Sequence, residues 1–490
     1  MELNNNTYAV IEPSIMPTEI KLDSLGEEEG GFKQSKTVGV NEPYVIVNGY
    51  SFSSSAITSF KLNCSGTIPT LNLTVIDTRD NFSTDSFPRD GDVLTFLLSS
   101  KNESTFKSIH MDFDILKVSN IPTNEESNTK YSFTCKAKVP FLDSEECRYY
   151  EYGNSLSHLE EEAKYLGLGL VTNVDVTNDD QTRIQPYISH SKFIENIVES
   201  SYISDDAFQL WFIDQYYYLN FIDLNRIFNA KNMMDVEDSQ ESLISFATSL
   251  SKDIGETDDA DNIKSKLFIS NHFRFKGLNN YINTYSLENN SASVVSSHGH
   301  FRDVQLYDNV LEEINEFTLD PLTSKNLLDS EEPLRGRRDE DRYLGQIKHK
   351  YVGRQDAGEE GIGNVHQNHS YSKIHNFRNN LEASKMKLIV TLASFNPSLY
   401  KYQKVPVIIY AYTNERKAAE DIKTQEAEKL GFNERQFKNN GENEQSRTDS
   451  FLTGNYIIEN IDYSYSKAKG LIQTITLIRR EWPTRIAALI

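Results

Sequence analysis

Between positions 70 and 137 the chain twice writes a period-two pattern. Leu71, Leu73 and Val75 alternate with Asn72 and Thr74, and Tyr131, Phe133, Cys135 and Ala137 alternate with Ser132, Thr134 and Lys136. Successive side chains of a strand point to opposite faces, so each run predicts a strand with one buried and one wetter face. Val93–Leu98 and Phe113–Val118 are apolar runs of strand length, and Pro88-Arg89-Asp90-Gly91-Asp92 supplies a turn just before Val93. Short strands separated by turns predict a β-barrel or sandwich over residues 1–150. Within that stretch Asp23–Asn41, with its Glu-Glu-Glu-Gly-Gly run, reads as a loop or arm.

The pattern changes over 151–265. A helix capped by Ser155 is expected to run through Leu166, with Glu160–Glu162 exposed. Ser191 is expected to cap a second helix that gathers Phe193, Ile194, Ile197 and Val198 on one face. The apolar runs Ala207–Ile213 and Tyr216–Leu224 flank Asp214-Gln215 as a tight hairpin, which completes an α/β layer. Asp235–Asp261 is acidic and reads as a surface excursion, partly helical.

Strand-like composition returns in Leu267–Phe275 and Val294–Leu306, and again in Met386–Leu392 and Val405–Tyr412. Between them, 311–384 is dense in charge and reads as an insert rather than sheet core, with a short helix near Ile374–Ser384. A second charged insert, 413–449, separates those strands from a closing β-hairpin. In that hairpin Asn455–Tyr465 and Leu471–Arg479 are joined by the turn Ser466-Lys-Ala-Lys-Gly470. Residues 266–310, 385–412 and 450–490 thus form a second, split β domain. The fold class is α+β, mainly β.

Length and composition agree. A chain of 490 residues exceeds one ordinary core, and 26 Tyr and 26 Phe supply ample apolar surface to bury. Net charge is −22, from 72 acids against 50 bases. A basic footprint for nucleic acid is missing, so specific nucleic-acid binding is not expected. The charge reads as solubility, or in part as the lining of a passage through which DNA slides without sticking. No signal-peptide pattern opens the chain and no run reaches about 18 apolar residues, so no membrane anchoring is expected. Cys64, Cys135 and Cys147 are sparse and odd in number, as expected of reduced thiols in a cytoplasm.

The candidate chemistry is thin. His298 and His300 would share one face of a strand and could chelate a metal, but no carboxylate or thiol spacing accompanies them. His366, His369 and His375, with His349 upstream, sit in a Gly/Asn-rich stretch that reads as solvated. Cys135 and Cys147, with His158 beyond, lack a Cys-x-x-Cys knuckle and read as buried free thiols. Gly358-Glu-Glu-Gly-Ile-Gly363 lacks the lysine and the strand–turn–helix setting of a phosphate cradle. Asp205-Asp206 and Asp258-Asp259 are pairs that this acid content produces by chance. Arg335-Gly-Arg-Arg-Asp-Glu-Asp-Arg342 reads as a salt-bridge strip. No catalytic, cofactor-binding or metal-binding residue emerges, no cofactor is expected, and the chain does not read as an enzyme.

The closing hairpin carries a resemblance. Phe451-Leu-Thr-Gly-Asn-Tyr-Ile-Ile-Glu-Asn-Ile-Asp-Tyr-Ser-Tyr465, followed by Thr474-Ile-Thr-Leu-Ile-Arg-Arg-Glu-Trp-Pro483, resembles the end of baseplate-hub proteins of contractile-tailed phages. The same architecture recurs at the base of type VI secretion spikes. Phe193-Ile-Glu-Asn-Ile-Val with Phe208-Gln-Leu-Trp-Phe-Ile and Tyr218-Leu-Asn-Phe-Ile resembles the helix and hairpin of that family. Asn379-Asn-Leu-Glu-Ala-Ser-Lys-Met-Lys-Leu-Ile-Val-Thr-Leu resembles the entry to its last barrel.

The resemblance implies two tube-like antiparallel β-barrel domains joined by α/β material. It implies a homotrimer whose six barrels surround a channel for DNA and the tape-measure protein, and adapt a sixfold tail tube to a trimeric central spike. The implied partners are the chain itself, the spike, and the tube or tube-initiator protein, with baseplate wedge and tape-measure proteins as further neighbours. The implied location is the virion tail baseplate, after synthesis in a bacterial cytoplasm. The rival readings are another tail protein that binds a receptor or carbohydrate, and a phage-associated hydrolase. The inserts exceed what a minimal hub needs.

Overall fold

The structure, a computed structural model, describes residues 2–3, 7–19, 41–78, 82, 87–89, 91–100, 108–122, 129–204, 206–230, 268–271, 279–289, 302–308, 313–319, 348–352, 366, 372, 376, 383, 386–396, 399–410, 449 and 452–479. It is mainly β, and most of its strand pairs are antiparallel.

The chain opens with β1 (Glu2–Leu3) and β2 (Thr7–Ile11). Then follow β3 (Asn41–Val47), β4 (Tyr50–Phe52), β5 (Ile57–Asn63), β6 (Thr70–Asp77), β7 (Val93–Ser100), β8 (Ile109–Pro122) and β9 (Thr129–Ala137). Strands β3–β9 hydrogen-bond in the order β5-β6-β9-β8-β7-β3-β4, all antiparallel. The alternations decide the register: Leu71 lies opposite Cys135 and Leu73 opposite Phe133, and all four are buried. Each of the two leucines and the phenylalanine contributes roughly 1.5–3 kcal/mol by leaving water. The turn before β7 forms as expected, with the backbone N–H of Arg89 donating to Asp92 and that of Asp92 to the Arg89 carbonyl. The apolar run 113–118 does not bury continuously, because a bulge between Ile115 and Lys117 turns Leu116 outward.

The α/β layer contains β10 (Glu145–Gly153), α1 (Ser155–Leu166), β11 (Gly169–Thr172), β12 (Gln181–Ser189), α2 (His190–Ser200), β13 (Gln209–Ile213), β14 (Tyr218–Asp223) and α3 (Leu224–Asn229). A five-stranded sheet runs β1-β2-β11-β14-β13, so the first two strands join this layer rather than β3–β9. Only β11 and β14 run parallel in it. The helices cover the expected residues, with different caps: Asn154 accepts from the Ser157 N–H, and Ser189 from the Lys192 N–H. Gly167 closes α1 at φ 72°, a left-handed conformation that glycine adopts without strain. Phe193, Ile194, Ile197 and Val198 are all buried, as their spacing predicts. Glu162, expected on the exposed face, is fully buried. The hairpin turn is four residues, Asp214 to Tyr217, not two; the Asp214 carboxylate accepts the N–H groups of Tyr216 and Tyr218 and holds it open.

The later strands are β15 (Ile269–Ser270), β16 (Ile282–Asn289), β17 (Arg302–Asp308), β18 (Glu313–Leu319), β19 (Lys348–Val352), β20 (Met386–Leu392), β21 (Lys404–Ile408), β22 (Gly454–Ser466) and β23 (Gly470–Arg479). Within 311–384, read as an insert rather than sheet core, β18 and β19 form and flank β17 in a separate three-stranded sheet. The expected hairpin forms: β22 pairs with β23 across a turn in which Gly470 takes φ 71°. Ser372, Asn376 and Ala383 are helical, and the rest of the expected 374–384 helix lies outside the described residues. So do 23–40, 235–261, 294–301, 415–448 and Trp482.

One long strand joins the two β regions. The first half of β22 pairs with β21 through Gly454, Asn455, Tyr456 and Ile457. Its second half pairs along the same edge with β5, in the register Asp462↔Asn63 to Ser466↔Ser59. The sheet therefore continues β16-β20-β23-β22-β5-β6-β9-β8-β7-β3-β4, with β21 and β15 attached beside it. Across the seam the Tyr465 ring stacks on Phe60 at 5.7 Å between centroids, and Lys61 meets Asp462 at 3.4 Å. Ile461, Tyr463, Ile475 and Leu477 from the second region share one core with Leu62, Phe96 and Phe133 from the first.

Candidate functional site

Among the described residues no group of three or more His, Cys, Asp or Glu could hold a metal ion. No helix among them is long and apolar enough to cross a membrane. Of the flagged histidines, His298, His300, His369 and His375 lie outside the described residues, and His349 falls in β19 with its side chain outside them. His366, expected in solvent, is buried, and its Nε2 donates to the Ser200 carbonyl at 2.8 Å. Cys64 and Cys135 are buried and their thiols are pushed up to about 12 by burial, which keeps them protonated and inert. Cys147, expected to be buried, is exposed on β10. His158 is buried, with Nε2 donating to the Glu151 carbonyl; burial lowers its imidazole to about 4, so it stays neutral at pH 7.

The polar chemistry of the described chain instead lies in joints. In the α/β layer Glu162 shares a 2.8 Å hydrogen bond with His190 Nδ1 and a 3.2 Å ion pair with Arg148. Burial pushes the Glu162 carboxyl up, and the His190 hydrogen bond pulls against that shift. Tyr165 covers the group, its ring 3.8 Å below the Arg148 guanidinium and stacked on His190, while its hydroxyl donates to Glu146. Beside it, buried Asp179 accepts from the Ser155 N–H and hydroxyl, the Thr177 hydroxyl and the Tyr202 N–H. Arg183, half-buried, donates to Ser155 Oγ and Ser200 Oγ. These contacts bind α1 to α2 and both helices to β10 and β12.

A second set of joints is made by residues from the C-terminal half reaching back to helix ends. Asn376 Oδ1 accepts the Gln209 N–H at 3.1 Å, and its Nδ2 faces the carbonyls of Val198, Glu199 and Ser201 at 3.1–3.3 Å. Lys404 Nζ donates to the carbonyls of Phe228 and Ala230 at 2.7 and 2.9 Å. The last carbonyls of a helix have no partner within it, and a cation there also suits the helix dipole. His366, Asn376 and Lys404 thus terminate α2 and α3 from more than a hundred residues away.

The third joint lies where the layers meet. Lys401 Nζ donates to the carbonyls of Cys64 at 2.9 Å and Gly66 at 3.2 Å, and sits 4.3 Å from the Phe212 ring centroid. Burial lowers its ammonium to about 8. Beside it the Ile213 N–H donates to the Thr67 carbonyl, and Tyr402, held at φ 58°, donates its N–H to Ile458. Lys401 therefore pins together the loop after β5, strand β13 and the approach to β21. Local pattern could not reveal this, because the partners lie far apart in the chain and each looks ordinary alone.

The chain resembles, at low sequence identity, solved structures of two tail proteins and of a PdpA–VgrG complex. A tail protein from Neisseria meningitidis MC58 is 9% identical, with a TM-score of 0.47, over 90% of this chain and 97% of that one. The 43 kDa tail protein of prophage MuSo2 from Shewanella oneidensis is 10% identical, with a TM-score of 0.45, over 90% and 98%. A Francisella PdpA–VgrG complex is 8% identical, with a TM-score of 0.42, over 94% and 60%. No family model and no curated protein matches the sequence.

Proposed function

We propose that this chain is a structural baseplate-hub subunit of a phage-type tail or related contractile injection machine, and not an enzyme. The observation that carries the proposal is the seam between β22 and β5, which sets an N-terminal and a C-terminal group of strands side by side in one sheet. A chain with two such groups places six of them in a ring when three copies associate. That arrangement can meet a sixfold tube on one side and a trimeric spike on the other. Closed cyclic association also covers strand edges that would otherwise be free to pair at random. The joints at Asn376, Lys401 and Lys404 support a mechanical role, since each links elements distant in sequence, and Glu162 ties α1 to its neighbours β10 and α2.

In this reading the partners are two further copies of the chain, the central spike and the tube or tube-initiator protein, with wedge and tape-measure proteins adjoining. The assembled location is the tail baseplate, and the acidic charge would line part of the channel. Native mass measurement of the chain, alone and mixed with its spike and tube neighbours, tests the proposal. A trimer with an axial opening in electron micrographs is expected. A dimer or tetramer would overturn it, and a hexamer of whole chains would assign the protein to the tube itself.

A further inference from the structure

Strands β10 and β12 stand apart from the sheets as a two-stranded ribbon whose faces differ sharply. The inner face packs on α1 and α2: Tyr150 is fully buried, 4.9 Å from the Phe193 ring, and Arg148 and Arg183 turn inward to their partners. On the outer face four successive outward positions of β10 are Glu145, Cys147, Tyr149 and Glu151, all exposed. Opposite them stand Ile184 across from Tyr149 and Pro186 across from Cys147. Tyr187, at φ 51°, is left without a partner in the ribbon by a register shift and is 73% exposed. The outer face is thus an apolar strip with a carboxylate at each end. Both cations of the ribbon are committed inward.

We propose that this strip is a docking surface for one extended, basic segment of a partner protein. The outward order acid, apolar, apolar, acid at every second residue calls for a segment with base, apolar, apolar, base at the same spacing. Its Lys or Arg side chains would pair with Glu145 and Glu151, and its apolar side chains would lie on Cys147, Tyr149, Ile184 and Tyr187. Two arguments select this occupant over a second copy of the chain. First, nine-residue strands at about 3.3 Å per residue, two abreast at about 4.8 Å, give a strip of roughly 300 Å². That suits a single segment and falls well short of the roughly 800 Å² per partner of a stable interface between folded proteins. Second, a copy of this chain brings a net charge of −22, and its own basic stretch Arg335–Arg342 contains Asp339, Glu340 and Asp341 and no apolar side chain. Like charges set against Glu145 and Glu151 would oppose docking. The inference goes beyond the hub reading and uses residues of one chain, so it stands or falls separately from the trimer.

The test uses the full chain and a synthetic peptide with two valines flanked by lysines at alternate positions. A control peptide carries glutamates in place of the lysines. Saturable binding of the lysine peptide is expected, weakening with added salt, with slowed amide exchange at 145–151 and 182–188. Tyr149→Ser with Tyr187→Ser should weaken binding by about tenfold or more. Glu145→Gln with Glu151→Gln should weaken it and remove most of the salt dependence. Each variant's thermal unfolding is compared with the parent, so that a folding defect is recognised, and a single Glu151→Gln change serves if either double variant misfolds. The proposal is overturned by equal binding of the glutamate peptide, by no saturable binding, or by folded variants that bind like the parent. Displacement of the peptide by a neutral oligosaccharide would assign the strip to sugar instead. Self-association lost in the Tyr149→Ser variant would assign it to a second copy.

Discussion

Glu162 and His190, 28 residues apart, meet 2.8 Å from each other with neither side chain reached by solvent. A carboxylate in that position is tolerable because His190 and Arg148 both address it. Removing one partner should cost far more than removing the charge. His190→Ala is expected to destabilise by roughly 3–5 kcal/mol, as for a buried charge left short of its partner. Glu162→Gln, which keeps the shape and one acceptor, should cost clearly less. Urea denaturation of the two variants measures the difference, and equal costs would show that the pair acts through packing alone.

His158 should give stability an acid limb. Burial lowers its imidazole from 6.5 to about 4, so between those pH values the unfolded chain binds more protons than the folded one. Stability then falls as pH drops through that window, by up to about 3 kcal/mol. Burial raises the Asp223 carboxyl from 3.8 to about 6, which acts in the opposite sense, favouring the folded chain as pH falls. The His158 contribution is therefore read as a difference: His158→Gln should flatten the profile between pH 6.5 and 4 relative to the parent. An unchanged slope would remove His158 as its source.

In the closing hairpin Tyr463 and Leu477 are buried, whereas Thr474 and Thr476 are half-buried on the other face. Tyr463→Ala and Leu477→Ala should each cost about 2–5 kcal/mol through the cavity left behind. Thr474→Ala and Thr476→Ala should cost about 1 kcal/mol or less, the full range of strand preference. Chemical denaturation of the four single variants checks the order, and a reversed order would mean that the hairpin faces the other way.

Lys401→Ala removes the donor shared by the Cys64 and Gly66 carbonyls. A loss of about 1–3 kcal/mol is expected, since the carbonyl of buried Cys64 loses its donor while that of exposed Gly66 can turn to water. The effect should be local first: amide exchange should quicken at 64–67 and at 209–213 before it changes in β6 or β9. Uniform quickening would instead make Lys401 a general stabiliser rather than a pin.

Asn376→Ala should remove the partner that Asn376 supplies to the Gln209 N–H and to the carbonyls at the end of α2, costing about 1–3 kcal/mol. Asn376→Asp should be nearly as harmful, because a carboxylate would face three carbonyls. Fraying of α2, followed by amide exchange of Val198 to Ser201, is the readout. Protection of those amides unchanged in both variants would show that the cap is dispensable.

Strands with one wet and one dry face were legible because the alternation is itself the physical cause of the register, as in Leu71–Val75 and Tyr131–Ala137. The closing hairpin was legible for the same reason, helped by its turn. Helix bodies were legible, but their first residues were not. Asn154 stands next to Ser155, and Ser189 two before Ser191, and all four are good cap types between which local pattern cannot choose. Glu162 was hidden because it ends a run of three glutamates that reads as a solvated face, while its partner lies in the next helix. Strands β18 and β19 were hidden by the charge around them. The joints at Asn376, Lys401 and Lys404 leave no local signature at all, since each is a single polar residue whose meaning lies in a distant carbonyl.

The seam between β22 and β5 also sets a clock. Asn63 meets Asp462 only after about 400 further residues have been made, which at roughly 5–20 residues per second takes about 20–80 s of synthesis. Throughout that time β5 has an unpaired side, open to any strand that arrives first. Closure over so long a span is slow in its own right, because the loop entropy is lost before the pairing rewards it. The short run of seam pairs, from Ser59 to Asn63, limits how much a wrong strand can gain there, and Lys61 at its middle discourages an intruder that lacks a carboxylate in Asp462's place.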